Sequence, residues 1–221
     1  MSDRPLPSND AAPTAARAPF SWDGFLRKAL KPAVFVLCLW PFAWILAQVA
    51  IALNGGTPDL GANPIEFIIR YLGDWALRFL LIALAVTPLR IVTGWNVLAR
   101  LRRMLGLFAF FYVCIHIMSY VGLDHRFDWS TILADIVKRT YITVGMAALL
   151  MLIPLAVTST DKMVRRLGGA RWRKLHMLVY PAGVAGVIHY FLMIKAGYQE
   201  PLLYAVILTV LFGIRLYKKR A

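Results

Sequence analysis

Charge is scarce in this chain, and acid is scarcer. Only 16% of its 221 residues are charged, and 11 aspartates and glutamates stand against 25 lysines and arginines. Soluble domains carry about 25% charged and about 45–50% apolar residues, so a chain that is 60% hydrophobic is no ordinary soluble globule. Two cysteines are too few for a disulfide scaffold; Cys38 and Cys114 both fall inside apolar runs, where they serve as small hydrophobes. The chain has no Walker loop, GxGxxG, CxxC or HExxH, which leaves nucleotide hydrolysis, a Rossmann cofactor site and a zincin site without sequence support. Met1 to Phe20 is rich in proline, alanine, serine and asparagine and lacks an apolar run of about 7–15 residues, so it reads as a disordered tail and not as a signal peptide.

What the chain has is long apolar stretches. Six are long enough, or nearly so, to cross a hydrocarbon core that needs about 20 residues per helix. They run from Pro32 to Leu53, Gly73 to Val92, Arg103 to Gly122, Tyr141 to Thr158, Trp172 to Ile194 and Pro201 to Tyr217. Turn-forming pieces such as Asn54-Gly55-Gly56-Thr57-Pro58 and Gly168-Gly169 separate them, and the connections are short. The runs lack the alternation of a membrane barrel, and backbone in lipid must satisfy its own hydrogen bonds. The expected fold is an all-α integral membrane protein, a six-helix transmembrane bundle over residues 31–217. A disordered cytoplasmic tail over residues 1–30 precedes it, and a basic cytoplasmic tail over residues 218–221 follows.

The net charge of +14 is a topology signal. Nineteen basic residues fall on the side of the N-terminal tail and alternate loops, among them Arg100, Arg102, Arg103, Arg171, Arg173 and Lys174; five fall on the other side. Lys and Arg favour the cytoplasmic side of short loops, so both termini are expected there. That distribution accounts for the basicity without nucleic acid.

Chemistry in such a chain rests on its few polar intramembrane groups. Of four histidines, His116, His176 and His189 lie within spans, and His125 sits in a polar loop beside Asp124 and Arg126, where it reads as a solvated residue. Ionisable groups in a bilayer are costly and mark functional sites. Three imidazoles without carboxylate partners favour coordination of a metal or haem. His116 lies six residues before Gly122 and His189 six before Lys195, in spans that both run outward, so the two are level. At 1.5 Å per residue each sits roughly 9 Å below the outer boundary, where one axial imidazole from each helix would clamp a haem.

His176 lies near the cytoplasmic boundary and belongs to another site. That site is either a second, incompletely ligated haem or a place for a different cofactor. A separation of 13 residues puts His176 and His189 about 140° apart on an ideal helix, with Pro181 between them able to bend it. The small residues from Pro181 to Gly186 suit either a flat macrocycle or close helix packing through Ala182 and Gly186. Arg78 shares a helix face with Arg70 and Asp74. Its charge is expected to meet a haem propionate, or Asp74 with snorkelling to the interface. A proton or metal transporter using the same histidines is the alternative reading.

Several of these residues stand in recognisable strings. They are Gly73-Asp74-Trp75-Ala76-Leu77-Arg78 with Thr87-Pro88-Leu89-Arg90, Arg102-Arg103-Met104-Leu105-Gly106 leading to His116, and Arg171-Trp172-Arg173-Lys174-Leu175-His176 leading to Tyr180 and His189. With histidine separations of 60 and 13 residues, the chain resembles the MsrQ (YedZ) family from its first span to its sixth. That family comprises haem-binding membrane subunits of bacterial periplasmic protein-methionine-sulfoxide reductase systems, within the ferric reductase-like transmembrane group.

The resemblance implies one or two b-type haems, FMN, exchange with membrane quinones or a cytoplasmic flavin donor, and an inner-membrane location. It also implies electron delivery to a periplasmic MsrP-type molybdopterin reductase, the membrane subunit itself not acting on methionine sulfoxide. FMN rests on the resemblance alone, and its residues are unassigned.

Overall fold

A computed structural model describes residues 26–220. The tail expected over residues 1–30 therefore lies mostly outside the described residues, and its last five residues form a π-helical turn, Leu26–Leu30, that runs into the first helix. Every regular element among the described residues is helical. In chain order the α-helices are α1 (Lys31–Leu53), α2 (Pro64–Thr93), α3 (Arg102–Ser119), α4 (Trp129–Lys138), α5 (Thr140–Val157), α6 (Asp161–Leu167), α7 (Gly169–His176), α8 (Val179–Met193) and α9 (Gln199–Arg220). Six segments are long and apolar enough to span a membrane, one of them formed by α7 and α8 together. The sites between them follow from which helices pack closely.

Large apolar side chains point away from the molecule, as lipid-facing surfaces require. Leu37 is 69% exposed and Trp40 68%. Inside, α2 packs along α3 and α5 along α8, while contacts between these two pairs are sparse. The core lies mainly along α2, through Leu72, Ala76, Leu80 and Leu84, against Ala109 and Tyr112 of α3 and Ala182 of α8. α9 closes the bundle against α2 and α8, and α1 touches α2 and α3 only lightly. The bundle thus consists of two tight pairs with a slot between them. Its two ends are called proximal, where the two described chain ends lie, and distal.

Several boundaries differ from the expected ones, each for a local reason. α2 begins at Pro64, nine residues before the apolar run, because Asn63 accepts a hydrogen bond from the Glu66 N–H at 3.3 Å and Glu66 pairs with Arg70 at 2.6 Å. α4 occupies a connection expected to be short and irregular. Asp128 caps it by accepting from the Ser130 and Thr131 N–H groups, and Ile132 and Asp135 are its buried positions. α9 continues through Arg220, into the stretch expected to be a tail. The break between His176 and His189 falls at Met177 and Leu178, so Pro181 stands in the first turn of α8, where its missing N–H costs nothing. The face arithmetic for an unbroken helix therefore does not apply.

Pro41 lies within α1, and a side chain from another helix enters the backbone ladder beside it. The Tyr112 hydroxyl accepts from the Phe42 N–H at 3.0 Å and donates to the Cys38 carbonyl at 2.8 Å, standing where a direct i→i−4 bond would run. Tyr112 is fully buried, and this bridge ties the lightly packed α1 to α3.

Candidate functional site: two imidazoles across a cavity

The slot between the helix pairs holds a cavity of about 680 Å³, and His116 and His189 both line it. Its volume lies within the roughly 300–1,000 Å³ of ordinary ligand sites. Gly73 and Leu77 of α2 form one wall, Gly145, Met146 and Leu149 of α5 another, and Ala182 and Gly186 of α8 join them. The small-residue run serves close helix packing and also borders the cavity. Gly186 lines the cavity, and a Cβ there would come within 3.3 Å of Leu77.

The two histidines are seated in the same way on different helix pairs. Nδ1 of His116, on α3, lies 2.9 Å from the Ile69 carbonyl of α2. Nδ1 of His189, on α8, lies 2.6 Å from the Tyr141 carbonyl of α5. Four residues beyond each carbonyl stands a glycine against which the ring packs. A Cβ on Gly73 would lie 3.1 Å from His116, and one on Gly145 would lie 2.8 Å from His189. A carbonyl only accepts, so Nδ1 of each ring must carry the proton and donate. That tautomer leaves the lone pair of each Nε2 available, and neither Nε2 has a hydrogen-bond partner among the described residues. A second hydrogen bond that fixes tautomer and ring orientation is the usual support of a metal-bound imidazole.

The separation of the rings suits a shared metal ion. Their centroids are 6.3 Å apart and their planes cross at 80°. Two imidazoles on opposite sides of one metal ion, with bonds of about 2 Å and ring centres about 1 Å behind the nitrogens, have centres about 6 Å apart. A closed site for a bare ion needs about four protein ligands, and no group of three or more His, Cys, Asp or Glu side chains that could hold one occurs among the described residues. Haem iron receives four nitrogens from its macrocycle and needs only two from protein. The donor set, the spacing and a cavity of this size therefore fit a haem.

His176 is placed differently. It lies off the cavity wall, half-buried near the proximal end, with Trp172 stacked at 3.9 Å and Nε2 3.1 Å from the Thr158 hydroxyl. That hydroxyl already donates to the Pro154 carbonyl at 2.6 Å, so Nε2–H of His176 donates to it. The tautomer is opposite to that of the distal pair. Arg78 is also off the cavity wall. Its Nε donates to the Tyr204 hydroxyl at 2.8 Å and its guanidinium lies 5.1 Å from the centre of the Trp75 ring.

His125 corrects the expectation of a solvated loop residue. Its side chain is 14% exposed, with Nε2 3.6 Å from both Asp124 and Asp135 and its ring 4.5 Å from Tyr120, because α4 folds back over it. Gly145 and the carbonyls of Ile69 and Tyr141 were not anticipated. A solitary glycine in an apolar span was the available signal for the first, whereas a carbonyl's role has no residue-type signature.

A family model described as "Ferric reductase like transmembrane component" matches residues 72–187, which hold α3 and α5 and all but the last residues of α8. Curated relatives extend the match to most of the chain. One from Rhodospirillum rubrum, named "Protein-methionine-sulfoxide reductase heme-binding subunit MsrQ", is 63% identical over 184 residues, covering 83% of this chain and 86% of the relative. The chain belongs to the MsrQ family. Proteins of the same name from Herminiimonas arsenicoxydans and Xanthomonas campestris pv. campestris are 50% and 49% identical, each over 191 residues. They cover 85% and 86% of this chain and are themselves covered to 84% and 87%. With its six long apolar helices and this membership, the chain is a multi-pass membrane protein of the ferric reductase-like group.

Proposed function

We propose that this chain is the haem-binding, electron-transferring membrane subunit of a methionine-sulfoxide reductase system, with His116 and His189 as the two axial ligands of one b-type haem. The observation that carries this reading is the pair of imidazoles across one cavity, 6.3 Å apart, each with Nδ1 held by a carbonyl of its partner helix. Haem, when bound, supplies one-electron chemistry at a potential set by its ligands and burial.

The chain's own residues do the rest. Ile69 and Tyr141 hold both rings in the ligating tautomer, and Gly73 and Gly145 let the rings pack closely against the partner helix of each pair. Leu77, Leu149 and Leu152 present an apolar wall that excludes water. His176 serves a second, separate site. There it is the candidate ligand of a second haem, through Nδ1 as it stands or through Nε2 once Thr158 is released.

The wider assignment follows the resemblance read from the sequence and the positive-inside bias. The protein sits in the bacterial inner membrane with both termini cytoplasmic. Electrons arrive from membrane quinones or a cytoplasmic flavin donor, with FMN as an associated cofactor, and leave on the periplasmic side to an MsrP-type molybdopterin subunit that acts on the methionine sulfoxide.

Purified protein is expected to show a Soret band, with sharp visible bands on reduction, and stoichiometric oxidation of the reduced form on addition of an MsrP-type partner with its substrate. A colourless protein that transports protons or metal ions would establish the transporter alternative instead.

A further inference from the structure

The slot has two ways of recognising its ligand, and the imidazoles account for one. Among the described residues that line the cavity, the lysine and arginine set consists of Arg70 and Arg139 alone. They lie on opposite helix pairs. Arg70 on α2 directly follows Ile69, whose carbonyl orients His116; Arg139 precedes α5 by one residue and Tyr141, whose carbonyl orients His189, by two. Each side of the slot thus contributes one imidazole, one orienting carbonyl and one guanidinium. The arginines stand on the distal side of the glycines that seat the rings, three residues before Gly73 and six before Gly145, or roughly 4 and 9 Å along the helix axis.

Both guanidinium groups are about half exposed, so both remain reachable from the cavity mouth. Each is also braced. Arg70 pairs with Glu66 at 2.6 Å; Arg139 pairs with Asp135 at 3.1 Å and donates to the Tyr141 hydroxyl at 3.1 Å. An arginine presents five donors in a planar fork, so a partner on one edge leaves the other free for a second carboxylate. Three acids share the cavity wall. Glu66 is held by Arg70, Asp124 lies 3.6 Å from Nε2 of His125, and Asp74 lies within electrostatic reach of Arg78. Two cations at the mouth are left to receive acid groups.

We propose that Arg70 and Arg139 each hold one of the two propionate carboxylates of the haem, so that the acid edge points to the distal end and the ligand is bound in one orientation. The inference rests on the haem reading above and adds the residues that orient the group. Arg78 is off the cavity wall, and its contacts with Tyr204 and Trp75 support the fold behind it. Charge-assisted bonds from arginine to carboxylate are strong and directional, which suits them to fix a ligand that the axial nitrogens alone leave free to rotate.

The test uses full-length apoprotein in detergent, reconstituted with haem b and, separately, with its dimethyl ester, in which both carboxylates are blocked. The expected result is at least about tenfold weaker retention of the ester than of haem b by the unaltered chain. Arg70→Gln and Arg139→Gln should each weaken haem b to a similar degree while causing no further loss with the ester. Each should also lower the haem midpoint potential, since a propionate stripped of its cation favours the ferric state.

Lys138→Gln, beside Arg139 but off the cavity wall, should change neither quantity. Equal retention of haem b and its ester by the unaltered chain would overturn the proposal even if the arginine variants fold poorly. So would unchanged retention and potential in the double variant. Failure of the unaltered chain to bind either compound would instead remove the haem reading on which the proposal rests.

Discussion

The histidines at the two ends of the bundle differ in which nitrogen holds the proton. At the distal end, carbonyls of Ile69 and Tyr141 draw the proton to Nδ1 of His116 and His189, two residues that line a cavity. At the proximal end, Thr158 has spent its own proton on Pro154, so His176 donates from Nε2 and lies under Trp172. The same residue type, in the same kind of span, leaves Nε2 without a hydrogen-bond partner among the described residues in one place and donates from it in the other. A histidine in a membrane helix is therefore assigned by what its other nitrogen meets.

That contrast is open to direct attack, and the axial ligands offer the largest effect. His116→Ala or His189→Ala should abolish the six-coordinate spectrum and cut retained haem by more than about tenfold. His176→Ala should leave the distal spectrum intact. Haem per polypeptide falling from two equivalents to one in His176→Ala would place a second haem at the proximal end, whereas one equivalent in both proteins would leave His176 to another cofactor.

The seats come next. Gly145→Ala sets a Cβ 2.8 Å from the His189 ring, and Gly73→Ala sets one 3.1 Å from His116. Overpacking costs about 1–3 kcal/mol, with Gly145→Ala the worse of the two, and both should broaden or shift the haem bands.

Away from the cavity, Tyr112→Phe strands the Phe42 N–H and the Cys38 carbonyl in α1 and should lower stability by about 1–3 kcal/mol in a thermal melt while leaving the spectrum unchanged. The smallest effect is at Asp128. Hydrogen bonds from the Ser130 and Thr131 side chains, together with the Thr131 N–H, hold its carboxyl down at about 2. A group whose pKa is depressed on folding stabilises above its unfolded value, so its contribution to α4 should persist at neutral pH and fade as pH falls from about 4 to about 2. Amide exchange of residues 129–132, compared with Asp128→Asn, would show it.

Much of this arrangement was readable from residue order, and the parts that were not share a cause. Six apolar runs of spanning length dictate six crossings, and the equal depth of His116 and His189 pairs them before any contact is known. The start of α2 and the presence of α4 were missed because capping by Asn63 and Asp128 stabilises helix in polar segments, where hydropathy is silent. Arg78 was expected to meet either the ligand's acid edge, because its depth matched that of the histidines, or Asp74. Depth does not fix where a long side chain ends, and the Arg78 guanidinium is drawn to the Tyr204 hydroxyl of α9. The seating of the rings on Gly73 and Gly145 depends on how the two helices within each pair pack, which single-helix periodicity does not encode.

The central claim, one iron held between His116 and His189 with their planes crossed at 80°, is tested most directly by low-temperature electron paramagnetic resonance of the oxidised purified protein. Nearly perpendicular imidazoles on a low-spin ferric haem predict a highly anisotropic signal with a single large g value, lost in both His116→Ala and His189→Ala. A high-spin signal, or a low-spin signal that survives either replacement, would contradict the assignment.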